Sequence, residues 1–119
     1  EAVGEVLWID DESLMDAVTA VSGSGPAYVF LLAECLAEAG RAAGLDAELA
    51  YRLARATVEG AGELMRRSDL SAQELREKVT SPNGTTAAAL AVLMGKGGMP
   101  ELLTRAVAAA AKRSKELSS

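Results

Sequence analysis

Histidine is absent from this chain and cysteine occurs once, at Cys35. These absences together remove His-based catalytic triads, the usual zinc sites and internal disulfides. Cys35 stands in a run of small apolar residues, which predicts a buried core thiol in a reducing compartment. A reactive thiol would need a helix start or a cationic neighbour. Aromatic residues are scarce as well, 3% of a chain that is 50% hydrophobic. Its core has to be built from Ala, Leu, Val and Met, which favours close-packed helices over sheets. A basic excess is missing too: 12 Lys and Arg stand against 17 Asp and Glu, a net charge of −5. That argues against a nucleic-acid partner, and the one basic cluster, Lys112, Arg113 and Lys115, suits the negative end of a final helix. The longest uncharged apolar run, Pro26 to Ala33, is too short to cross a bilayer, and the first residues carry no signal pattern. The expectation is a soluble, cytoplasmic protein with no membrane among its partners.

What is present reads as helices. At 119 residues the chain is long enough for one real core and too short for two. Residues 5 to 9, Glu-Val-Leu-Trp-Ile, are the only plausible strand. One strand cannot satisfy its backbone groups alone, so it either pairs with another chain or ends a sheet-containing domain that precedes it. A short helix is expected from about Glu12 to Ala20, stopped by Ser22-Gly23-Ser24-Gly25-Pro26, with Ser24 free to cap the next helix and Pro26 in its first turn. That second helix, to about Ala43, is apolar around most of its circumference, with charges only at Glu34, Glu38 and Arg41. One way for so small a domain to cover it is a second copy of the chain.

Gly44 reads as a left-handed terminator and Asp46 as the cap of a third helix reaching Arg67. Glu48, Arg52, Arg55, Glu59, Glu63 and Arg66 share its solvated face, while Leu49, Leu53, Thr57, Gly60, Ala61 and Leu64 are expected inward. Gly60 and Gly62 cost helix propensity, so at least one is expected at a close helix approach. Ser71-Ala72-Gln73-Glu74 is a capping box opening a fourth helix. A fifth runs to about Gly95, and a sixth from Pro100 carries Leu102, Leu103, Ala106, Val107 and Ala110 toward the core. The fold class is therefore all-α, a helical bundle of about six helices behind a short N-terminal strand or linker.

Chemistry is concentrated in two loops of Ser, Thr and Gly, each running into an apolar helix: Ser22 to Pro26 and Ser81 to Thr86. In the second, Pro82 disfavours helix at Ser81, Asn83 and Gly84 both tolerate positive φ, and Ala87 onward is strongly helical. Ser81, Thr85 and Thr86 thus sit at a helix start, where unpaired N–H groups and the dipole could hold a carboxylate without any Lys or Arg. The plainer alternative is that Ser81 or Thr85 only caps the helix. Two such loops could converge on a neutral pocket that positions a ligand rather than titrating it, and no cluster of metal ligands is present. Glu34 and Glu38, one turn apart, read as a solvated stripe rather than a catalytic pair. Gly23-Ser24-Gly25 is not a dinucleotide fingerprint, because it follows a helix and lacks the third glycine and the distal acid.

Asp16-Ala17-Val18-Thr19-Ala20-Val21-Ser22-Gly23-Ser24-Gly25-Pro26-Ala27-Tyr28, followed by Ser81-Pro82-Asn83-Gly84-Thr85-Thr86, closely resembles the C-terminal domain of pyrroline-5-carboxylate reductase. The resemblance extends over nearly the whole chain. It implies residues 1–11 as the end of a Rossmann domain and its linker, and 12–119 as a helical dimerisation and substrate domain, an intertwined homodimer or a higher oligomer. It implies reduction of 1-pyrroline-5-carboxylate to L-proline by NADPH or NADH in proline biosynthesis, the cofactor being held by the N-terminal domain absent from this chain. It implies that Ser81, Asn83, Gly84, Thr85 and Thr86 bind the substrate carboxylate, with Asn83 where the family usually has Gly, and that Thr19 donates a hydrogen bond or proton to the ring nitrogen. The fragment alone is then expected to dimerise without reducing the imine. The competing expectations are a helical dimerisation module without catalysis, or the helical domain of another NAD(P)-dependent reductase.

Overall fold

A computed structural model describes residues 14–118. The expected strand at residues 5–9, and the start of the first helix at Glu12, lie outside the described residues. Among those described every regular element is helical: α1 (Met15–Val18), a π-helical turn (Thr19–Gly23), α2 (Gly25–Ala42), α3 (Ala47–Arg67), α4 (Ala72–Lys78), α5 (Thr85–Leu93) and α6 (Met99–Ser118). They fall into two compact units, one made of residues 14–28 and 92–118, the other of Val29–Ala91.

In the first unit α1 and the π turn pack against α6. The Ser114 hydroxyl on α6 donates to the Asp16 carboxylate on α1 at 2.7 Å, tying together segments 98 residues apart. Ala20, in the π turn, is fully buried. The expected break at Ser22–Pro26 does not occur. The helix widens through Gly23, bends at Ser24 and resumes at Gly25. The two glycines loosen the spiral without ending it, and no side-chain cap is made by Ser24. At the other end of this unit, Gly98 turns the chain from α5 into α6. A Cβ there would stand 2.2 Å from the Leu93 carbonyl oxygen, so no larger residue fits that turn.

In the second unit the turn from α2 to α3 follows from its residues. Gly44 adopts φ +114. Its N–H donates to the Arg41 carbonyl at 3.0 Å and that of Leu45 to Gly40 at 3.1 Å, so the last carbonyls of α2 are satisfied. Asp46 then caps α3, accepting from the N–H groups of Glu48 and Leu49 at 3.2 and 3.4 Å. The helices meet closely where Gly40 faces Ala50, whose Cβ would lie 3.3 Å from a Cβ on the glycine. Gly60 and Gly62, where a close approach was expected, have nothing within 4 Å. The solvated face of α3 forms as expected, with Arg55 paired to Glu59 at 3.3 Å and Glu63 to Arg66 and Arg67 at 2.7 and 2.6 Å. Exposed as they are, such pairs add little stability.

The apolar faces are mostly open. Ala20, Ala50 and Ala54 are the buried hydrophobic residues of the described chain. Leu49, Leu53 and Leu64 on α3, and Leu102 and Leu103 on α6, are exposed where inward packing was expected. Cys35 is an exposed free thiol rather than a core residue. One cause underlies these corrections. Helical periodicity tells which face is apolar, whereas burial depends on whether something lies against that face, and among the described residues these side chains stay exposed. The run Met15–Ala42, continuous through the π turn, also has the length and composition to cross a membrane, longer than the uncharged segment Pro26–Ala33 alone implied.

Candidate functional site

The segment from α4 to α5 is built to stop one helix and start another in few residues. The capping box at Ser71 is complete: the Glu74 N–H donates to Ser71 Oγ at 3.1 Å, and the Ser71 N–H donates to Glu74 Oε1 at 2.8 Å. The second bond stabilises the ionised acid and holds the Glu74 carboxyl below the usual carboxylate range. At the far end of α4 the Thr80 hydroxyl donates to the Arg76 carbonyl at 2.6 Å. Pro82, which cannot donate, follows Ser81 outside the helix.

The loop then closes on itself. Asn83 takes φ +61, the left-handed conformation that Asn tolerates best after Gly. Gly84 donates its N–H to the Ser81 carbonyl at 3.0 Å, and a Cβ on it would come within 3.3 Å of that oxygen. Both positions were expected to accept positive φ. Asn83 alone uses it, and Gly84 is required by close approach instead. The first N–H of α5 paired to a carbonyl is that of Ala88, donating to Gly84 at 3.1 Å. The N–H groups of Thr85, Thr86 and Ala87 are therefore the free donors of this helix start.

The hydroxyls of Ser81, Thr85 and Thr86 make no hydrogen bond among the described residues, so the alternative of a simple side-chain cap is not realised. Ser81, Asn83, Thr85 and Thr86 are exposed, with Gly84 half-buried. No residue from Ser81 to Thr86 carries a charge. The result is a set of neutral donors at one helix start, suited to a carboxylate and without acid or base chemistry of its own.

Thr19 belongs to the other unit. It is the first residue of the π turn and lines a cavity of about 420 Å³ with Ser24 and, from α6, Ala110, Arg113, Ser114, Leu117 and Ser118. The fold brings Ser81, Asn83, Gly84, Thr85 and Thr86 together in one loop of the second unit, while Thr19 belongs to the first. Tyr28 is the residue that sequence reasoning passed over. Its hydroxyl donates to the Ala20 carbonyl at 2.7 Å, within the π turn. The available signal was a tyrosine two residues after a proline in a chain almost without aromatics. In the second unit a cleft of about 380 Å³ lies between α2 and α3, with Phe30 and Val58 in its wall and Glu34, Arg55 and Glu59 about it.

A family profile described as pyrroline-5-carboxylate reductase dimerisation matches residues 12–117. A pyrroline-5-carboxylate reductase of Pseudomonas aeruginosa is 50% identical over 116 residues, which cover 98% of this chain and 42% of that protein. One from Arabidopsis thaliana is 51% identical over 117 residues, again 98% of this chain and 42% of the relative. The solved structure of a pyrroline-5-carboxylate reductase from Coxiella burnetii superposes with a TM-score of 0.90 at 44% identity, over 98% of this chain and 43% of that one. The Plasmodium falciparum pyrroline carboxylate reductase, solved with NADP bound, gives 0.83 at 40% identity, over 92% and 41%. The chain spans less than half the length of these relatives. With a matching profile over nearly all of it and half its residues identical to those of two relatives, the chain belongs to the pyrroline-5-carboxylate reductase dimerisation family.

Proposed function

We propose that this chain is the helical part of a longer cytoplasmic reductase that converts 1-pyrroline-5-carboxylate to L-proline in proline biosynthesis, and that Ser81–Thr86 holds the substrate carboxylate. The observation that carries this is the start of α5, where three backbone N–H groups and three hydroxyls lack partners within 14–118. A carboxylate there satisfies donors that would otherwise be left to water, and its charge is favoured by the helix dipole. Thr19 is the second contributor, a hydroxyl donor toward the ring nitrogen, and is tested separately.

NADPH or NADH supplies the hydride when bound, and its site is proposed to lie mainly in the N-terminal domain. Gly23 and Gly25 lie inside a helical run, and no glycine-rich turn after a strand occurs among the described residues. Residues 1–11 are proposed as the end of the cofactor domain and its linker, with 12–119 as the helical domain. The share of this chain in the reaction is orientation, fixing the imine so that hydride and proton arrive at the right faces.

The domain is further proposed to work as an intertwined homodimer, alone or within a higher oligomer. Its support is the apolar surface, including Phe30 at 69% exposure on a helix with few charges. The same apolar run has the composition of a membrane span. Its serines, threonine and tyrosine, and Asp16, Glu34, Glu38 and Arg41 within it, fit a protein neighbour better than lipid.

Steady-state kinetics of the full-length enzyme test the carboxylate site. Thr86→Ala is expected to raise KM for the imine by roughly tenfold, about 1.4 kcal/mol, the value of a hydrogen bond to a charged group. An unchanged KM in both Thr86→Ala and Ser81→Ala would leave a helical dimerisation module whose loop is only a turn.

A further inference from the structure

Eight residues separate Ala20 from Tyr28, yet the phenol of one meets the carbonyl of the other at 2.7 Å. In an α-helical register the Ala20 carbonyl would accept from the N–H of Ser24. That N–H goes instead to Thr19, five residues back, at 2.9 Å. The carbonyl of the fully buried Ala20 thus loses its α-helical donor and accepts the Tyr28 hydroxyl instead. Around the same turn the Ser22 hydroxyl donates to the Val18 carbonyl at 2.9 Å. Single π turns are rare and concentrate at functional sites, because the extra residue per turn re-aims a side chain that an α-helix would hold elsewhere. Here the residue at the head of the turn is Thr19, facing the cavity beside α6, and the Thr19 hydroxyl has no partner among the described residues.

We infer that Tyr28 is a positioning residue for the reductase: its hydroxyl holds the Ala20 carbonyl in the π register and so fixes the direction in which Thr19 presents its hydroxyl. The inference rests on the assignment of Thr19 under the proposed function. Tyr28 itself does not touch the substrate. The Asp16–Ser114 bond anchors the turn from the other side by clamping α1 to α6.

The test uses the full-length enzyme with Tyr28→Phe, Thr19→Ala and the double variant. Phe keeps the ring and its packing and removes only the donor. Two readouts are taken: steady-state kinetics, and hydrogen exchange of peptides covering residues 19–24 and 81–86. Tyr28→Phe is expected to lower kcat by about tenfold to a hundredfold, the cost of a misplaced group away from the chemistry, with KM for the imine within about twofold. Exchange should quicken at residues 19–24 and stay unchanged at 81–86, and adding Thr19→Ala should lower kcat no further. Unchanged exchange at 19–24, or kcat losses that multiply in the double variant, would overturn the inference. If Thr19→Ala alone leaves kinetics intact, the assignment of Thr19 fails; faster exchange at 19–24 in Tyr28→Phe would still uphold Tyr28 as the residue that holds the turn.

Discussion

Two residues show how little space this chain leaves where it turns sharply. Asn83 sits at φ +61, where a residue with an ordinary Cβ is strained by about 1–2 kcal/mol and Asn is among the best tolerated. Asn83→Ala is therefore expected to lower the thermal unfolding midpoint and to raise KM for the imine, while Asn83→Gly should leave both close to the parent. Equal midpoints for the two variants would mean that the loop does not depend on this conformation. Gly98 is constrained for a different reason, since a Cβ would strike the Leu93 carbonyl at 2.2 Å and the Gly95 carbonyl at 2.7 Å. Gly98→Ala has to displace backbone rather than a flexible side chain, and a loss of about 1–3 kcal/mol in denaturant unfolding is expected.

At the scale of the element, α4 depends on its capping box. Seven residues are too few for a helix to persist on propensity, so its first turn relies on the Ser71 side chain and on Glu74. Ser71→Ala should cost about 1 kcal/mol, read from the denaturation midpoint. The Glu74 carboxyl is held below its ordinary value by the Ser71 N–H and hydroxyl, and Glu38 and Glu63 are lowered by Arg41 and by Arg66 with Arg67. For a carboxyl depressed in the folded state the stabilisation is complete above its unfolded pKa, about 4.3 for Glu, and is lost as pH falls through the folded value. The unfolding midpoint should therefore decline as pH drops below about 4.3, and Glu74→Gln should flatten part of that decline. A slope identical to the parent's in Glu74→Gln would remove the capping box from the acid response. The π turn is an element-scale surprise. Ser-Gly-Ser-Gly has the composition of a break, and local propensity points that way. The helical continuation is accompanied by a hydrogen bond from the Tyr28 hydroxyl, eight residues along the chain, to the Ala20 carbonyl.

The whole molecule presents more apolar surface than one copy covers. Phe30 is 69% exposed in the wall of the α2–α3 cleft, and Leu53 across the same unit is 49% exposed. If a second copy covers this face, Phe30→Asp should weaken association by about 2 kcal/mol per seated ring, roughly thirtyfold in the dissociation constant. Sedimentation of the parent and the variant over a range of concentrations would measure this. A parent monomeric at micromolar concentration, or a variant that associates as tightly, would count against the homodimer. The 119-residue chain is also expected to show no NAD(P)H-dependent reduction of the imine by absorbance, if the dinucleotide is held by an N-terminal domain as proposed.

By itself the sequence determined the helical class, the boundaries set by Gly44, Asp46 and Ser71, the charged face of α3, and the loop that joins α4 to α5. These are local properties, decided by periodicity, caps and φ preferences within a few residues. The tertiary structure decided the rest. It left Cys35, Leu53 and Leu64 open where apolar periodicity implied burial, because burial is a property of what lies opposite and not of the face itself. It moved the close helix approach from Gly60 and Gly62 to Gly40, where the short Gly44 turn brings α3 back against α2. It carried the helix through Ser22–Pro26, where the Tyr28 hydroxyl meets the Ala20 carbonyl, a side-chain to backbone bond that periodicity and propensity do not encode.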